Sequence, residues 1–368
     1  MTIAQRIVIV GGGAAGHAAA RAYRDAGGGG ELIMVTDDDR PPYERPVVSK
    51  ELLRGEIDAN EAALEIVSDL RIQYARAVAL DTQARSVVLA GGERLEYDGC
   101  LLATGSRPVR IDLDDADHDR IFVLRSVADS LRLGAVVGPG ASVFVIGSGF
   151  VACEAAASLR SLGAEVTLAG METVPQAARL GPVVGERIAG WLADAGVRLQ
   201  LDTTVTAMPD AAVVLMATGA EPRVELARDA GIRLSDDGAV VTDAQMRTTA
   251  DTVYAAGDIA AAFNTAAGRA LRVEHWGDAL GHGEIAGRGL AGRPGVWDGV
   301  PGFWSTIGGH TLKHAAWGGG WEACSVHDHA DGAWTARYTD GDGKLVGVLT
   351  HDRDTDYEQG RRQLAGSI

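Results

Sequence analysis

A strand, a glycine-rich turn, a helix and a second strand follow one another twice in this chain, and this repeat constrains the fold more than any other feature. In the first copy, the β-branched run 6–10 leads into the glycine cluster 11–16, a helix-forming stretch and the apolar run 31–36. Residues 141–154 and 164–169 repeat the pattern. Each copy predicts a βαβ unit, in which a helix connects two parallel strands. Two such units predict an α/β fold with two Rossmann-like dinucleotide-binding domains.

A second, shorter repeat supports this duplication. In residues 99–108 and again in residues 211–222, an apolar strand precedes the tripeptide Ala-Thr-Gly, and a proline follows a few residues later. Each element is ordinary by itself, but the same order of elements in both halves is hard to obtain by chance. The two halves are therefore predicted to share one architecture.

The first glycine cluster fits the GxGxxG pattern between a strand and a helix. Gly11 permits a tight turn, Gly13 lets the backbone approach a pyrophosphate, and Gly16 lets the helix pack closely on the strand. The unpaired N–H groups at the start of the helix favour a phosphate at that place. Asp37 and Asp38 follow the next strand, where a carboxylate binds the hydroxyls of an adenosine ribose.

The second glycine motif contains Gly147 and Gly149, with alanine at the third position, a variant that dinucleotide sites accept. Gly170 stands at the end of the following strand, where Asp or Glu would hold the ribose of NAD. Glu172 and Arg179 lie downstream, but no arginine follows immediately to bind a 2′-phosphate. A nicotinamide nucleotide is predicted, and the choice between NADH and NADPH stays open.

Composition excludes several other classes of protein. The net charge of −16 argues against a general nucleic-acid binder, which needs a basic surface. No run of eighteen apolar residues is present, so no membrane insertion is expected. The N-terminus runs directly into a strand-like segment, and the three cysteines are widely spaced. We therefore expect a cytoplasmic protein without a secretory signal, a disulfide framework or a CxxC pair.

Short motifs along essentially the whole chain, in order, point to one family. They occupy residues 42–50 (PYERPVVSK), 97–98, 103–105, 124–126, 254–258 (YAAGD), 274–276 (EHW) and 301–305 (PGFWS). In this combination the chain resembles the FAD-dependent pyridine nucleotide-disulfide oxidoreductase superfamily. It is most similar to the ferredoxin reductase branch, which includes rubredoxin, putidaredoxin and dioxygenase-system reductases and the apoptosis-inducing factors.

The resemblance implies a glutathione-reductase-like order of domains. Residues 1–111 and 245–296 would form an FAD-binding domain, with an NAD(P)H-binding domain inserted at residues 112–244. Residues 297–368 are predicted to form a small α+β C-terminal domain, because the segment begins rich in Trp and Gly and ends in a hairpin-like pattern around Asp342-Gly343.

The resemblance also implies roles for individual residues. Asp258 would hydrogen-bond the ribityl chain of FAD, Arg125 its phosphates, and Ala15, Asp37 and Val78 would line its ADP half. The complete cofactor-binding set predicted in this way is Gly11, Gly13, Ala15, Gly16, Asp37, Asp38, Arg45, Lys50, Val78, Ala103, Thr104, Gly105, Arg125, Gly147, Gly149, Glu154, Gly219, Gly257, Asp258, Glu274, Trp276 and Trp304.

Two tryptophans in this set have an alternative interpretation. Trp276 opens a predicted helix whose N–H groups could stabilise the anionic edge of reduced flavin. Trp304 lies in the motif 301–305. Ordinary core packing is the alternative for both side chains, since tryptophan is usually largely buried.

Lys50 and Glu154 are the predicted catalytic pair. By resemblance, Lys50 lies beside flavin N5 and Glu154 lies beside the nicotinamide. A buried lysine and a buried glutamate each need a partner, so their pairing is physically sensible. Hydride transfer needs no acid or base from the protein, so we assign Lys50 a role in positioning and electrostatics. The alternative is that Lys50 is a solvent-facing residue of a helix.

Cysteine usage separates this chain from the disulfide-relay members of the superfamily. Segment 42–50 contains no cysteine, so a thiol relay beside the flavin is not expected. Cys100 and Cys153 are interpreted as small packing residues. Cys324 and the two histidines that follow it are interpreted as a polar loop rather than a metal site, so no metal is predicted.

Without a thiol relay, electrons must leave the flavin directly, and a one-electron iron–sulfur protein is the natural acceptor. We predict an FAD-dependent NAD(P)H oxidoreductase, monomeric or homodimeric, whose partner is a ferredoxin-type 2Fe–2S protein. The alternatives are a small-molecule acceptor, quinone or O2, and a redox-sensing interaction module. The negative charge opposes an acidic ferredoxin unless a local basic patch prevails, for which Arg353, Arg361 and Arg362 are one candidate.

Overall fold

The computed structural model describes residues 5–366. Its strands are β1 (Arg6–Val10), β2 (Glu31–Thr36), β3 (Leu70–Tyr74), β4 (Ala77–Asp81), β5 (Ser86–Leu89), β6 (Arg94–Glu96), β7 (Gly99–Leu102), β8 (Ser106–Pro108), β9 (Ile121–Phe122), β10 (Ser142–Ile146), β11 (Glu165–Ala169), β12 (Arg198–Gln200), β13 (Val213–Met216), β14 (Ala220–Pro222), β15 (Val240–Thr242), β16 (Val253–Ala255), β17 (Ala260–Asn264), β18 (Arg269–Arg272), β19 (Gly302–Ile307), β20 (His310–Ala316), β21 (Ala323–Asp328), β22 (Trp334–Thr339) and β23 (Leu345–His351). Its α-helices are α1 (Ala14–Asp25), α2 (Val127–Val136), α3 (Phe150–Ser161), α4 (Ala177–Leu180), α5 (Pro182–Asp194), α6 (Glu225–Asp229), α7 (Trp276–Leu290) and α8 (Asp354–Gly366). Within that range, no helix has the length and apolar character that a membrane span requires.

The first βαβ unit builds a five-stranded parallel sheet in the order β16-β7-β1-β2-β3. Strand β1 from Ile7 onward and the whole of β7 are buried and apolar, as is usual for parallel strands covered on both faces. Helices α1 and α7 pack together on this unit. Glycines allow their close approach, because a Cβ at Gly283 or Gly287 would lie 2.2 Å from the carbonyl oxygen of Ala15 or Ala19.

The second βαβ unit builds its own five-stranded parallel sheet, in the order β12-β11-β10-β13-β9. The two Ala-Thr-Gly segments lead into β8 and β14, which pair antiparallel in a two-stranded ribbon with Glu221 opposite Arg107. The predicted pair of Rossmann-like domains is therefore present. Strand β15 pairs with β17 and packs with the first unit, which favours a return to that unit upstream of the predicted boundary at residues 244 and 245.

The C-terminal segment forms an antiparallel sheet, β19-β20-β23-β22-β21, against which α8 packs. The hairpin predicted around Asp342-Gly343 connects β22 and β23, and Gly343 has a φ of +77°. The predicted α+β class of this segment is therefore confirmed.

A fully buried histidine in α7 gives the fold an acid-sensitive point. The ring of His282 meets that of Trp297 edge-on at 4.4 Å, and within residues 5–366 neither ring nitrogen has a hydrogen-bond partner. Burial lowers the pKa of His282 to about 4. The unfolded chain binds a proton on this histidine near pH 6.5, but the folded protein binds it only near pH 4. Acid therefore favours unfolding, and the unfolding free energy decreases as the pH falls from 6.5 to 4.

Replacing His282 by leucine is therefore expected to flatten the acid limb of the stability curve. Between pH 6.5 and pH 4, the unfolding free energy of the wild type should fall more steeply than that of His282→Leu, by about 1.4 kcal/mol for each pH unit. Urea denaturation at successive pH values measures both slopes. Equal slopes in the two proteins would show that His282 is not the buried neutral group.

Candidate active site

The first glycine loop is shaped to receive a ligand. Gly11 has a φ of +126°, and a Cβ there would lie 2.0 Å from the carbonyl oxygen of Ala103, so only glycine fits. A Cβ at Gly16 would lie 2.0 Å from the carbonyl oxygen of Gly11, which brings α1 onto the strand as predicted. Gly13 is the N-cap residue before α1, where no side chain caps the helix, and a Cβ there would meet no atom within 4 Å. The start of the helix therefore faces open space where a phosphate group fits.

This loop opens into a cleft of about 1550 Å³, large enough for an extended dinucleotide. Most of the predicted cofactor-binding residues line it: Gly11, Gly13, Ala15, Asp37, Asp38, Arg45, Lys50, Val78, Ala103, Thr104, Gly105, Arg125, Glu154, Gly257, Asp258, Glu274, Trp276 and Trp304. Gly16, Gly147, Gly149 and Gly219 do not line it, since Gly16 packs under the helix and the other three belong to the second unit. The size of the cleft and its open glycine loop fit FAD.

The two aspartates after β2 have different partners. Asp37 is half exposed and pairs with Arg223, with 3.2 Å between Oδ2 and Nη1. Asp38 Oδ2 accepts a hydrogen bond from the hydroxyl of Tyr43 at 3.0 Å and lies 3.4 Å from Nη2 of Arg45. Arg223, which directly follows β14 of the two-stranded ribbon, was not predicted from the sequence.

Arg125 and Asp258, the residues that the resemblance assigns to the phosphates and the ribityl chain of FAD, form a second charged pair. Arg125 donates to Asp258 at 2.7 Å, and the hydroxyl of Ser106 donates to the same carboxylate oxygen at 2.8 Å. Arg45 in turn donates to the carbonyl oxygen of Arg125 at 2.7 Å. These contacts hold Arg125 and Asp258 together at the cleft. The guanidinium can bind phosphate groups of a ligand, and the carboxylate can accept hydrogen bonds from its hydroxyl groups.

The predicted pair of Lys50 and Glu154 is present and buried. Lys50 Nζ lies 3.1 Å from Glu154 Oε2, and each side chain is only 8% exposed. Two serines complete the group: Ser49 donates to Glu154 Oε2 at 2.5 Å, and Ser305 donates to Oε1 at 2.7 Å. The alternative of a solvent-facing Lys50 is therefore wrong. The two serines belong to motifs noted in the sequence, but their convergence on Glu154 was not predicted.

Lys50 owes its position to a short 3₁₀ turn. The turn spans Arg45–Ser49, and its proline fixes the backbone near the start. The hydroxyl of Ser158, in α3, donates to the carbonyl oxygen of Ser49 at 2.8 Å, and Ser130, in α2, donates to that of Val48 at the same distance. The second unit therefore holds the segment of the first unit that carries Lys50.

Aromatic side chains also line the cleft. Trp276 begins α7, as predicted, and is half-buried. Trp304 is 43% exposed and lines the cleft, so core packing does not account for it. Phe303, beside it, contacts Phe150 and His275 with ring centroids 4.7 and 5.0 Å apart. A flat ring system entering the cleft would meet aromatic surface.

The cysteines take no part in this site. Cys100 and Cys153 are fully buried, and burial raises the pKa of both thiols far above the usual range, so they stay protonated. Within residues 5–366, no three or more His, Cys, Asp or Glu side chains are arranged to hold a metal ion.

Two nucleotide-binding units, a cleft of dinucleotide size and a buried ion pair between the units define a flavoprotein oxidoreductase. Residues 5–283 match the pyridine nucleotide-disulphide oxidoreductase family. The chain belongs to this family, and it is an FAD-dependent NAD(P)H oxidoreductase.

The chain is similar to curated and solved members over most of its length. It is 33% identical over 298 residues to the biphenyl dioxygenase system ferredoxin–NAD(+) reductase component of Paraburkholderia xenovorans, covering 74% of this chain and 71% of that one. It is 30% identical to the anthranilate 1,2-dioxygenase system ferredoxin–NAD(+) reductase component of Burkholderia cepacia, covering 88% and 85%. The crystal structure of the ferredoxin reductase for the CYP199A2 system from Rhodopseudomonas palustris superposes with a TM-score of 0.92 at 26% identity, covering 99% and 96%.

Proposed function

We propose that this enzyme takes reducing equivalents from NADH and passes electrons to a ferredoxin-type protein with a 2Fe–2S cluster. The observation that carries the proposal is the buried Lys50–Glu154 pair at the cleft, in place of a cysteine relay. The names of the two curated relatives, both ferredoxin–NAD(+) reductase components of dioxygenase systems, support this acceptor. Bound FAD would supply the chemistry, because flavin accepts a hydride pair and releases single electrons.

In this proposal each unit holds one cofactor. FAD would be held by the unit built around the first βαβ motif, with its pyrophosphate at Gly11 and Gly13. The nicotinamide nucleotide would be held by the inserted unit built around the second βαβ motif, with Gly147 and Gly149 in its glycine loop. Phe303 and Trp304 of the C-terminal segment line the cleft.

The chain's own groups orient the two ring systems and set the local charge. Lys50 places a positive charge at the cleft, and Glu154 keeps that charge in one position and balances it. Ser49 and Ser305 satisfy the remaining acceptor capacity of the carboxylate. The phosphates and ribityl hydroxyls of FAD would interact with Arg125 and Asp258, as the resemblance implies. A preorganised polar group of this kind stabilises developing charge with little reorganisation.

The overall negative charge still opposes an acidic ferredoxin. Arg353, one of the candidate basic residues near the C-terminus, lies within 4 Å of Asp331 and Asp356. These aspartates neutralise the charge of Arg353. Arg353 is therefore interpreted as part of a solvated ion pair and not as part of a basic docking patch. We propose a docking surface at the mouth of the cleft beside the exposed Trp304, because a partner bound there would lie next to a flavin held in the cleft.

Spectroscopy and steady-state kinetics test this function. Purified protein supplied with FAD should show a flavin spectrum that NADH bleaches under anaerobic conditions. Cytochrome c reduction should become fast only when a 2Fe–2S ferredoxin is added. Fast direct reduction of quinone or O2 would instead support a small-molecule acceptor, and slow turnover with a long-lived reduced flavin would support a redox-sensing module. A protein without a flavin band after FAD addition would contradict the whole assignment.

Sedimentation analysis decides between monomer and homodimer.

A further inference from the structure

The two βαβ units can be compared residue by residue, because equivalent hydrogen bonds mark the same place in both. Gly11 N donates to the carbonyl oxygen of Val35 at 2.8 Å, and Gly147 N donates to that of Ala169 at 2.7 Å. Val35 therefore corresponds to Ala169. Three residues further along each chain segment, Asp38 corresponds to Glu172.

Gly170, where the sequence lacks the expected acid, corresponds in this alignment to Thr36. Both positions contact the middle residue of the glycine motif. A Cβ at Gly170 would lie 2.8 Å from the side-chain atoms of Ser148, and a Cβ at Gly12 would lie 2.9 Å from Oγ1 of Thr36. In the first unit, the side chain of Thr36 fills the space beside Gly12. In the second unit, the side chain of Ser148 fills the equivalent space beside Gly170, so a carboxylate at position 170 would clash with Ser148.

The carboxylate of Glu172 reaches this same place. Its Oε2 accepts a hydrogen bond from the hydroxyl of Ser148 at 3.2 Å, and its Oε1 accepts one from the backbone N–H of Ala178 at 2.8 Å. Gln176 supports the arrangement from a left-handed backbone conformation, with φ +62°, and its buried amide donates to the carbonyl oxygen of Ser148 at 3.5 Å. Each oxygen of the Glu172 carboxylate therefore accepts one hydrogen bond and keeps the capacity to accept another.

We propose that Glu172 is the carboxylate that recognises the adenosine ribose of the nicotinamide nucleotide and thereby selects NADH over NADPH; this rests on the proposed function. A carboxylate beside the second glycine loop accepts hydrogen bonds from the ribose hydroxyls of NADH. The same negative charge repels the 2′-phosphate of NADPH. Glu172 lies three residues beyond the end of β11, and its hydrogen bond with Ser148 holds its carboxylate at the loop.

Calorimetric binding of ADP-ribose and of its 2′-phosphorylated form to the FAD-loaded protein tests this inference without turnover. The wild type should bind ADP-ribose more tightly. In Glu172→Gln, the ratio of the two dissociation constants should shift toward the phosphorylated form by roughly ten-fold or more, because a charged acceptor is replaced by a neutral one. Glu186→Gln is the matched control, since Glu186 is an exposed acid on α5 of the same unit, and its ratio should equal that of the wild type.

The thermal midpoint and flavin spectrum of each variant show whether it folds. An unchanged ratio in a folded, flavin-loaded Glu172→Gln that still binds ADP-ribose would overturn the role of Glu172 and leave the proposed function intact. A wild type that binds FAD but neither nucleotide would overturn the proposed function, and the inference with it. A wild type that prefers the phosphorylated form would overturn the selection of NADH alone.

Discussion

Replacing Glu154 by leucine is expected to lower the unfolding free energy by about 3–5 kcal/mol, because Lys50 would be left as an uncompensated buried charge. The double variant Lys50→Met/Glu154→Leu should recover most of this loss, since removing both charges also removes their desolvation. Denaturant unfolding of the two single variants and the double variant measures the coupling between them.

The surface pair of Lys313 and Asp354 is the matched control. These two side chains also meet through Nζ and a carboxylate oxygen, at 2.6 Å, but Asp354 is 72% exposed. Asp354→Leu should therefore cost less than about 1 kcal/mol. A loss in Glu154→Leu no larger than that of Asp354→Leu would show that the Lys50–Glu154 pair carries no buried charge.

The same variants should separate stability from activity. Lys50→Met is expected to slow flavin reduction by NADH by roughly ten-fold or more, because it removes preorganised positive charge from the cleft. The double variant should remain slow although its stability returns. Stopped-flow absorbance of the flavin band measures the rate, and an unchanged rate in Lys50→Met would remove this residue from the site.

The second large effect is expected at the first glycine loop. Gly11→Ala should lose stability on the order of 3–5 kcal/mol and fail to retain FAD, because its Cβ would overlap the carbonyl oxygen of Ala103 at a positive φ. Gly13→Ala should fold normally, since its backbone is extended and a Cβ there meets open space. It should nevertheless bind FAD roughly ten-fold or more weakly, because its methyl group would occupy the space where the pyrophosphate approaches.

A third glycine distinguishes backbone strain from steric overlap. Gly27 also has a positive φ, +89°, but a Cβ there would meet no atom within 4 Å. Gly27→Ala should therefore cost only about 1 kcal/mol and leave FAD binding unchanged. Thermal unfolding and flavin fluorescence measure both quantities. Full FAD affinity in Gly13→Ala would contradict the placement of the pyrophosphate.

The sequence predicted those parts of the structure that local patterns determine. Glycine spacing and apolar strands were sufficient for the fold class, and the family resemblance implied most of the residues that line the cleft. They could not show that Ser49 and Ser305, about 250 residues apart, meet at one carboxylate. Nor could they show that Arg223 reaches Asp37. Such contacts depend on how separate units pack, which no local pattern encodes.

The acid of the second unit illustrates a different limit. Counting along the strand places it at Gly170, where it is missing. The structure shows that Ser148 fills that space and that Glu172 bonds to the serine hydroxyl. The position of a side chain in space depends on its neighbours' volumes as well as on its place in the strand, and only the neighbours' coordinates reveal this.

The ribbon of β8 and β14 has a consequence for engineering. Because Pro108 lies directly opposite Ala220, the chain leaves and re-enters the first unit at neighbouring points, about 5 Å apart. A segment whose ends meet in this way adds little loop-closure entropy to the unit that hosts it. Residues 109–219 can therefore vary in length with little entropic cost to the host unit, provided that α2 and α3 keep their contacts with the segment that carries Lys50.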